Sequence, residues 1–190
     1  MRTRRKPASR PRSAARRAPA SRFTHLDAAH RPTMVDVGHK AVTERMAEAE
    51  AVIALPPSVA LALRRAGHRT AKGPIFDTAI VAGVQAVKNT SALIPFCHPL
   101  PISHAQVLIE PLGATRLRVV CRVAATHRTG VEMEALMGAS IAALTVYDMC
   151  KALSHRIRVT QVRLLSKRGG KRDVVTRPRA TGARRARKAA

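Results

Sequence analysis

The chain has 190 residues with 35 Lys+Arg against 11 Asp+Glu, a formal charge of +24, and is long enough for one domain with its own core. No apolar run approaches the roughly 20 residues of a membrane-spanning helix, and the longest uncharged stretch, Asn89–Ile109, contains three prolines and two histidines. Three cysteines (Cys97, Cys121, Cys150) cannot form a fully paired disulfide framework, which points to a reducing compartment, and one Tyr, three Phe and no Trp leave few rings for stacking RNA bases.

The charge is concentrated at the ends. Residues 1–22 hold nine Lys/Arg and no acid, and residues 176–190 hold six and no acid, leaving 20 basic and all 11 acidic residues between them. Both ends are rich in Arg, Ala and Pro and have little to bury, so 1–22 and 174–190 are expected to be disordered basic tails around a domain at 23–173. A nucleic-acid arm, a mitochondrial transit peptide at the N-terminus and a bland compositional extension all fit these tails.

In chain order, Glu48–Leu55 (EAEAVIAL) alternates polar and apolar residues and predicts a strand, stopped by Pro56-Pro57. Ser58–Ala66 predicts a short helix ended by Gly67. Ile75–Lys88 carries apolar residues over a wide helical face. Ser103–Glu110 and Arg116–Ala125 flank a Pro-Leu-Gly turn and predict a hairpin. Glu134–Leu153 predicts the longest helix, and Arg158–Leu165 a last strand. The order β-α-β-β-α-β predicts an α+β, ferredoxin-like domain with a four-strand antiparallel sheet and helices on one face. The long helix is apolar on several sides, which predicts that it is also buried between subunits.

Three segments combine reactive side chains with unusual backbone demands. In ALIPFCHPLP, Pro95 and Pro99 bracket Phe96-Cys97-His98 and are expected to hold them extended and stiff. Adjacent Cys97 and His98 would then point to opposite sides and no Cys-x-x-Cys exists, so no metal site is expected; a structural cis-proline loop with a packed His is the bland alternative. In TGVEME, Glu132 and Glu134 either complement a helix N-terminus or, on an extended lead-in, face the same way. In YDMCK, Asp148 and Lys151 are three apart on a helix, either a surface ion pair or a desolvated acid–base pair with a lowered lysine pKa. Glu134 and Asp148 share a helix face but lie about 21 Å apart along it. They cannot both touch one small reacting centre in one subunit, so the substrate is long or the site uses two chains.

MVDVGHKAVTERMAEA, AKGPIFDTAIVAGVQAVKNTSALIPFCHPLPIS, TGVEMEALMGASIAALTVYDMCKA and VRLLSKRGGKRD closely resemble the molybdenum cofactor biosynthesis protein C family, the cyclic pyranopterin monophosphate synthases, from about Phe23 to Asp173. The resemblance implies a lyase that rearranges 3′,8-cyclo-7,8-dihydroguanosine 5′-triphosphate to cyclic pyranopterin monophosphate and releases diphosphate; no cofactor is expected. It also implies a cytoplasmic ferredoxin-like homohexamer, a trimer of dimers with active sites at the dimer interface.

Carried over by motif, the resemblance implies catalytic roles for Asp148, Lys151 and Lys72. It implies substrate binding by Phe96, Cys97, His98, Met133 and Glu134, with Glu132 and Arg45 lining the pocket and the KRGGK loop at Lys167–Lys171 nearby. Pro74 and Asp77 depart from the family pattern, and Ile80 stands where a basic residue is common, which puts one basic contact in doubt. Lys and Arg suit a triphosphate, whereas a nucleic-acid-binding module would leave Asp148, Lys151 and the Cys-His loop unexplained.

Overall fold

Alternation in TERMAEAEAVIA builds the central strand. Ala47, Ala49, Ala51 and Ile53 point to one face and are buried there, while Glu48 and Glu50 point to the other. In the computed structural model, which describes residues 29–176, this strand β1 (Thr43–Ala54) is followed by helix α1 (Pro57–Arg65), a two-residue ladder of β2 (Arg69–Thr70) and β3 (Gly73–Pro74), and helix α2 (Ile75–Lys88). A turn of helix α3 (Thr90–Leu93) leads to the hairpin β4 (Ile102–Pro111) and β5 (Arg116–His127), then the long helix α4 (Glu132–Cys150), β6 (Arg158–Arg168) and β7 (Val174–Val175). The segments 1–22 and 177–190, expected to be unfolded, lie outside the described residues.

The main sheet is antiparallel throughout, in the order β4-β5-β1-β6-β7. It has five strands, not the expected four. The extra one forms because Gly169, at φ +84°, reverses the chain after β6 so that Val174–Val175 pair with Ser166–Lys167. A Cβ at Gly169 would also collide with the Glu44 carbonyl oxygen, so the turn closes against the start of β1. The sheet thus runs past Asp173, where the sequence places the domain boundary. Strand β1 begins five residues earlier than the alternation suggests, at Thr43, because β5 continues to His127 and pairs with it there. Backbone pairing extends a strand wherever a partner is available, whatever the side-chain pattern.

Leu117, Val119, Cys121, Val123 and Ala125 of β5 line the same buried face as the β1 residues, and α4 packs across β1, β5 and β6 while α2 packs on β4 and α4. The two helices approach closely at Gly83 and Gly138: a Cβ on Gly138 would stand 2.5 Å from Cys121 Sγ and 2.7 Å from Val87 Cγ2. The small residues of α4 (Gly138, Ala139, Ala142, Ala143) therefore set the layer spacing. Leu144, 53% exposed, lies outside this buried stripe.

The other sheet face is polar. Glu50, only 4% exposed, accepts hydrogen bonds from Arg118 Nε (2.7 Å), Arg163 Nε (2.7 Å) and Gln161 Nε2 (2.8 Å). Burial pushes the Glu50 carboxyl up, but the hydrogen bonds and charges of Arg118 and Arg163 outweigh it, and the net shift is downward.

Candidate active site

Helix α4 ends at Cys150, and Asp148 in its last turn is half-exposed. The β2–β3 hairpin between α1 and α2 carries Lys72 to it. Lys72 Nζ donates to Asp148 Oδ2 at 2.8 Å and to the Asp148 carbonyl at 3.2 Å, and Lys151 Nζ lies 2.7 Å from Asp148 Oδ1. One carboxylate thus bridges two ammonium groups that are 79 positions apart in sequence. Hydrogen bonds from Lys151 and Lys72 hold the Asp148 carboxyl down at about 2, and the same bond to Asp148 raises the Lys151 pKa.

This corrects one expectation. Asp148 and Lys151 are half-exposed in the single chain, so they are not a desolvated pair, and Lys151 is shifted up rather than down. Without burial, the partner carboxylate is the dominant influence on a lysine.

The other candidate residues gather at the opposite end of α4. A cavity of about 480 Å³ is lined by Phe96, Cys97, His98, Glu132, Met133 and Glu134, together with the strap Val35–Lys40. His98 Nε2 donates to the Val35 carbonyl at 2.9 Å, which ties the strap to the Cys-His loop. The loop is not extended throughout: the chain turns at Pro95-Phe96, with Cys97 N–H donating to the Ile94 carbonyl at 3.0 Å, and Cys97 and His98 consequently face one cavity. Every peptide bond among the described residues is trans.

Glu132 and Glu134 also separate. Helix α4 starts at Glu132, two residues before the expected start, so the two carboxylates project roughly 160° apart around it. Glu132 pairs with Lys167 Nζ at 2.7 Å. Glu134 is buried beneath Cys97, and desolvation, reinforced by the Glu132 charge, pushes its carboxyl up to about 7. Burial and the Glu134 charge raise the Cys97 thiol as well.

A second cavity of about 480 Å³ adjoins the first through Lys40, Thr129, Gly130, Glu132 and Lys171, and Arg45 lines it. Arg45 is braced by the carbonyls of His127 (3.2 Å) and Arg128 (3.3 Å). Lys40, Arg45, Arg128, Lys167, Arg168 and Lys171 make this cavity strongly cationic, a receptor for polyanions. Among the described residues, no three His, Cys, Asp or Glu side chains are grouped to hold a metal ion.

The candidate residues therefore form two sets in one chain: Lys72, Asp148 and Lys151 at the C-terminal end of α4, and the rest at its N-terminal end. The axial separation of Glu134 and Asp148 is about 21 Å. The sequence reading missed His39, Lys40 and Arg128. Charge is the available signal: Lys40 lies within MVDVGHKAVTERMAEA and Arg128 directly precedes TGVEME.

The MoaC family model matches residues 34–170. Cyclic pyranopterin monophosphate synthase of Xanthomonas campestris pv. campestris (strain 8004) is 60% identical over 155 residues, 82% of this chain and 94% of that protein. The protein of the same name from Xanthomonas oryzae pv. oryzae (strain MAFF 311018) is 58% identical over the same shares. Molybdenum cofactor biosynthesis protein 1 of Dictyostelium discoideum is 45% identical over 156 residues, which cover 74% of this chain and 25% of that protein.

Proposed function

The chain belongs to the MoaC family, and from that membership we propose that it is a cyclic pyranopterin monophosphate synthase, acting early in molybdenum cofactor biosynthesis on 3′,8-cyclo-7,8-dihydroguanosine 5′-triphosphate. The observation that carries the reading is the bridging of Lys72 and Lys151 by the Asp148 carboxylate, at 2.8 Å and 2.7 Å. The reaction must open a purine five-membered ring, close a pyrazine ring through the released amine, and form a cyclic phosphate. Each step moves a proton, and two ammonium groups held by one carboxylate are suited to give and retrieve them. In the last step a substrate oxygen bonds to the α-phosphorus as the bond to diphosphate breaks. Arg45, Lys167 and Lys171 would take the leaving charge in the cationic cavity. Phe96, Cys97, His98, Met133 and Glu134 would hold the ring system in the adjoining cavity.

Because the triad and the cavities sit at opposite ends of α4, a working site takes its triad from one subunit and its cavities from another. The protein accordingly assembles as a homohexamer, a trimer of dimers, with sites at the dimer interface. Exposed Leu144 on α4 and Val81 on α2 supply apolar surface for such contacts. The four long strands, in the order β4-β5-β1-β6, form a ferredoxin-like unit with β7 added at its edge. We assign the catalytic domain to 23–175, with the strand β7 as its last element and basic segments before and after it, and place the enzyme in the cytoplasm, where its three free cysteines stay reduced. No helix among the described residues is long and apolar enough to cross a membrane. Incubation of the purified protein with the cyclic triphosphate tests the reading: the pyranopterin product and diphosphate are expected, and their absence overturns it.

A further inference from the structure

We propose that His68 is a positioning residue for Lys72, clamping the neck of the hairpin that carries it by stacking on Phe76. The proposal rests on the catalytic role given to Lys72 above. Lys72 sits on a short excursion between α1 and α2 whose only regular pairing is Arg69–Thr70 with Gly73–Pro74. Such a small ladder does not hold its shape alone. Two backbone hydrogen bonds at its neck meet on His68. The His68 N–H donates to the Leu63 carbonyl at 2.8 Å, and the His68 carbonyl accepts from Ile75 N–H at 3.0 Å. One residue thus joins the end of α1 to the start of α2 at the point where the hairpin leaves the body.

The side chain closes the same point. The His68 ring lies 4.5 Å from that of Phe76, with 30° between the planes. Phe76 stands in the first turn of α2 and packs partly into the core, so the stack fastens the neck to a fixed element.

The backbone of His68 gives the second, independent sign. It has φ +56°, directly after Gly67 at +58°, in the left-handed region. Few residues other than glycine occupy that region, although histidine, like asparagine and aspartate, enters it more readily than most. The turn thus aims the imidazole at α2, and among the described residues its ring contact is the stack on Phe76. At the tip, Lys72 N–H donates to Thr70 Oγ1 at 3.2 Å, and Lys72 Nζ, half-exposed, then spans to Asp148. A loosened neck would leave this lysine free to swing, and displacement of a catalytic group by about 1 Å lowers turnover by up to roughly 10²-fold.

The test compares His68→Ala, His68→Phe and His68→Asn with the parent and with Lys72→Ala, by steady-state kinetics and by amide hydrogen exchange at Lys72 and Ile75. His68→Ala is expected to speed exchange of both amides and to lower kcat, each about tenfold, with KM within about twofold. His68→Phe keeps the stack and is expected to recover most of kcat. His68→Asn suits the backbone but lacks the ring, and is expected to behave like the alanine variant. Phe76→Leu removes the stack from the other side, and should match His68→Ala without adding to it in the double variant. Parental exchange and kcat in His68→Ala, or in His68→Asn, would overturn the proposal. Parental turnover in Lys72→Ala would instead overturn the catalytic role of Lys72, and the exchange rates would still decide whether His68 fixes the hairpin.

Discussion

Lys72 Nζ stands 2.8 Å from Asp148 Oδ2, joining a hairpin between the first two helices to the last turns of the long helix. Both side chains are about half-exposed, so the pair contributes little to folding stability. Its significance is chemical: with Lys151 on the other carboxylate oxygen it makes a compact array of three charged groups.

Asp148→Asn is expected to lower kcat by at least about 10²-fold, in the range that loss of positioned acid–base groups produces, with an unchanged melting temperature. The carboxyl is held at about 2, below its ordinary 3.8, so its pairing is present above about pH 4 and is lost only as pH falls through about 2. Asp148 therefore stays ionised over the working range, and no limb of a pH–rate profile near neutrality belongs to it. Turnover of Asp148→Asn within threefold of the parent would remove this carboxylate from the mechanism.

A two-chain site makes a distinctive prediction. Asp148→Asn and His98→Ala are each expected to be inactive alone. Mixed by co-expression, they should recover about a quarter of parental activity, because half of randomly formed dimers are mixed and each of these has one intact site. Activity of the mixture no greater than that of the separate variants would place the whole site in one chain.

Glu134 should make stability depend on pH with a definite sign. Its folded pKa of about 7 exceeds the ordinary 4.5, so the folded protein retains a proton that the unfolded chain releases. That contribution is present below about pH 4.5 and disappears as pH rises through about 7. Glu134→Gln cannot ionise. Its melting temperature relative to the parent is expected to rise by about 5 °C between pH 5 and pH 8. Parallel melting curves for the two proteins over that range would contradict the buried, protonated carboxyl.

The polar sheet face offers a prediction remote from the chemistry. Glu50→Gln keeps the shape of the side chain but removes the charge that Arg118 and Arg163 share. A loss of about 1.5–3 kcal/mol in denaturant unfolding is expected, as for hydrogen bonds to charged groups. Because the Glu50 pKa is lowered, this stabilisation is present above about pH 4.5 and fades as pH falls below it. The variant and parent should therefore converge in acid.

The helices and the strand alternation were legible because they repeat, although α4 runs over Glu132–Cys150 and not over the expected Glu134–Leu153. Ile75–Lys88 was read to the residue, its spacing of apolar positions sufficing. The added strand Val174–Val175 was not, since two residues carry no period and pair only because Gly169 turns the chain back. The extension of β1 to Thr43 likewise depends on β5, which the local sequence TER does not reveal. Among the candidate site residues, Asp148 and Lys151 were visible as neighbours on one helix turn. Their meeting with Lys72 was carried only by family resemblance.

The amino-acid sequence alone determined the mixed helix-and-strand character, the family and the two-ended layout of the candidate residues, because periodicity, motif and the fixed rise of a helix are local properties. Tertiary structure alone decided which groups share an environment. It bridged Lys72 to Asp148, buried Glu134 while leaving Glu132 to Lys167, and left Lys151 in water with a raised pKa. Burial and charge pairing depend on distances across elements, and those distances exist only once the chain is packed.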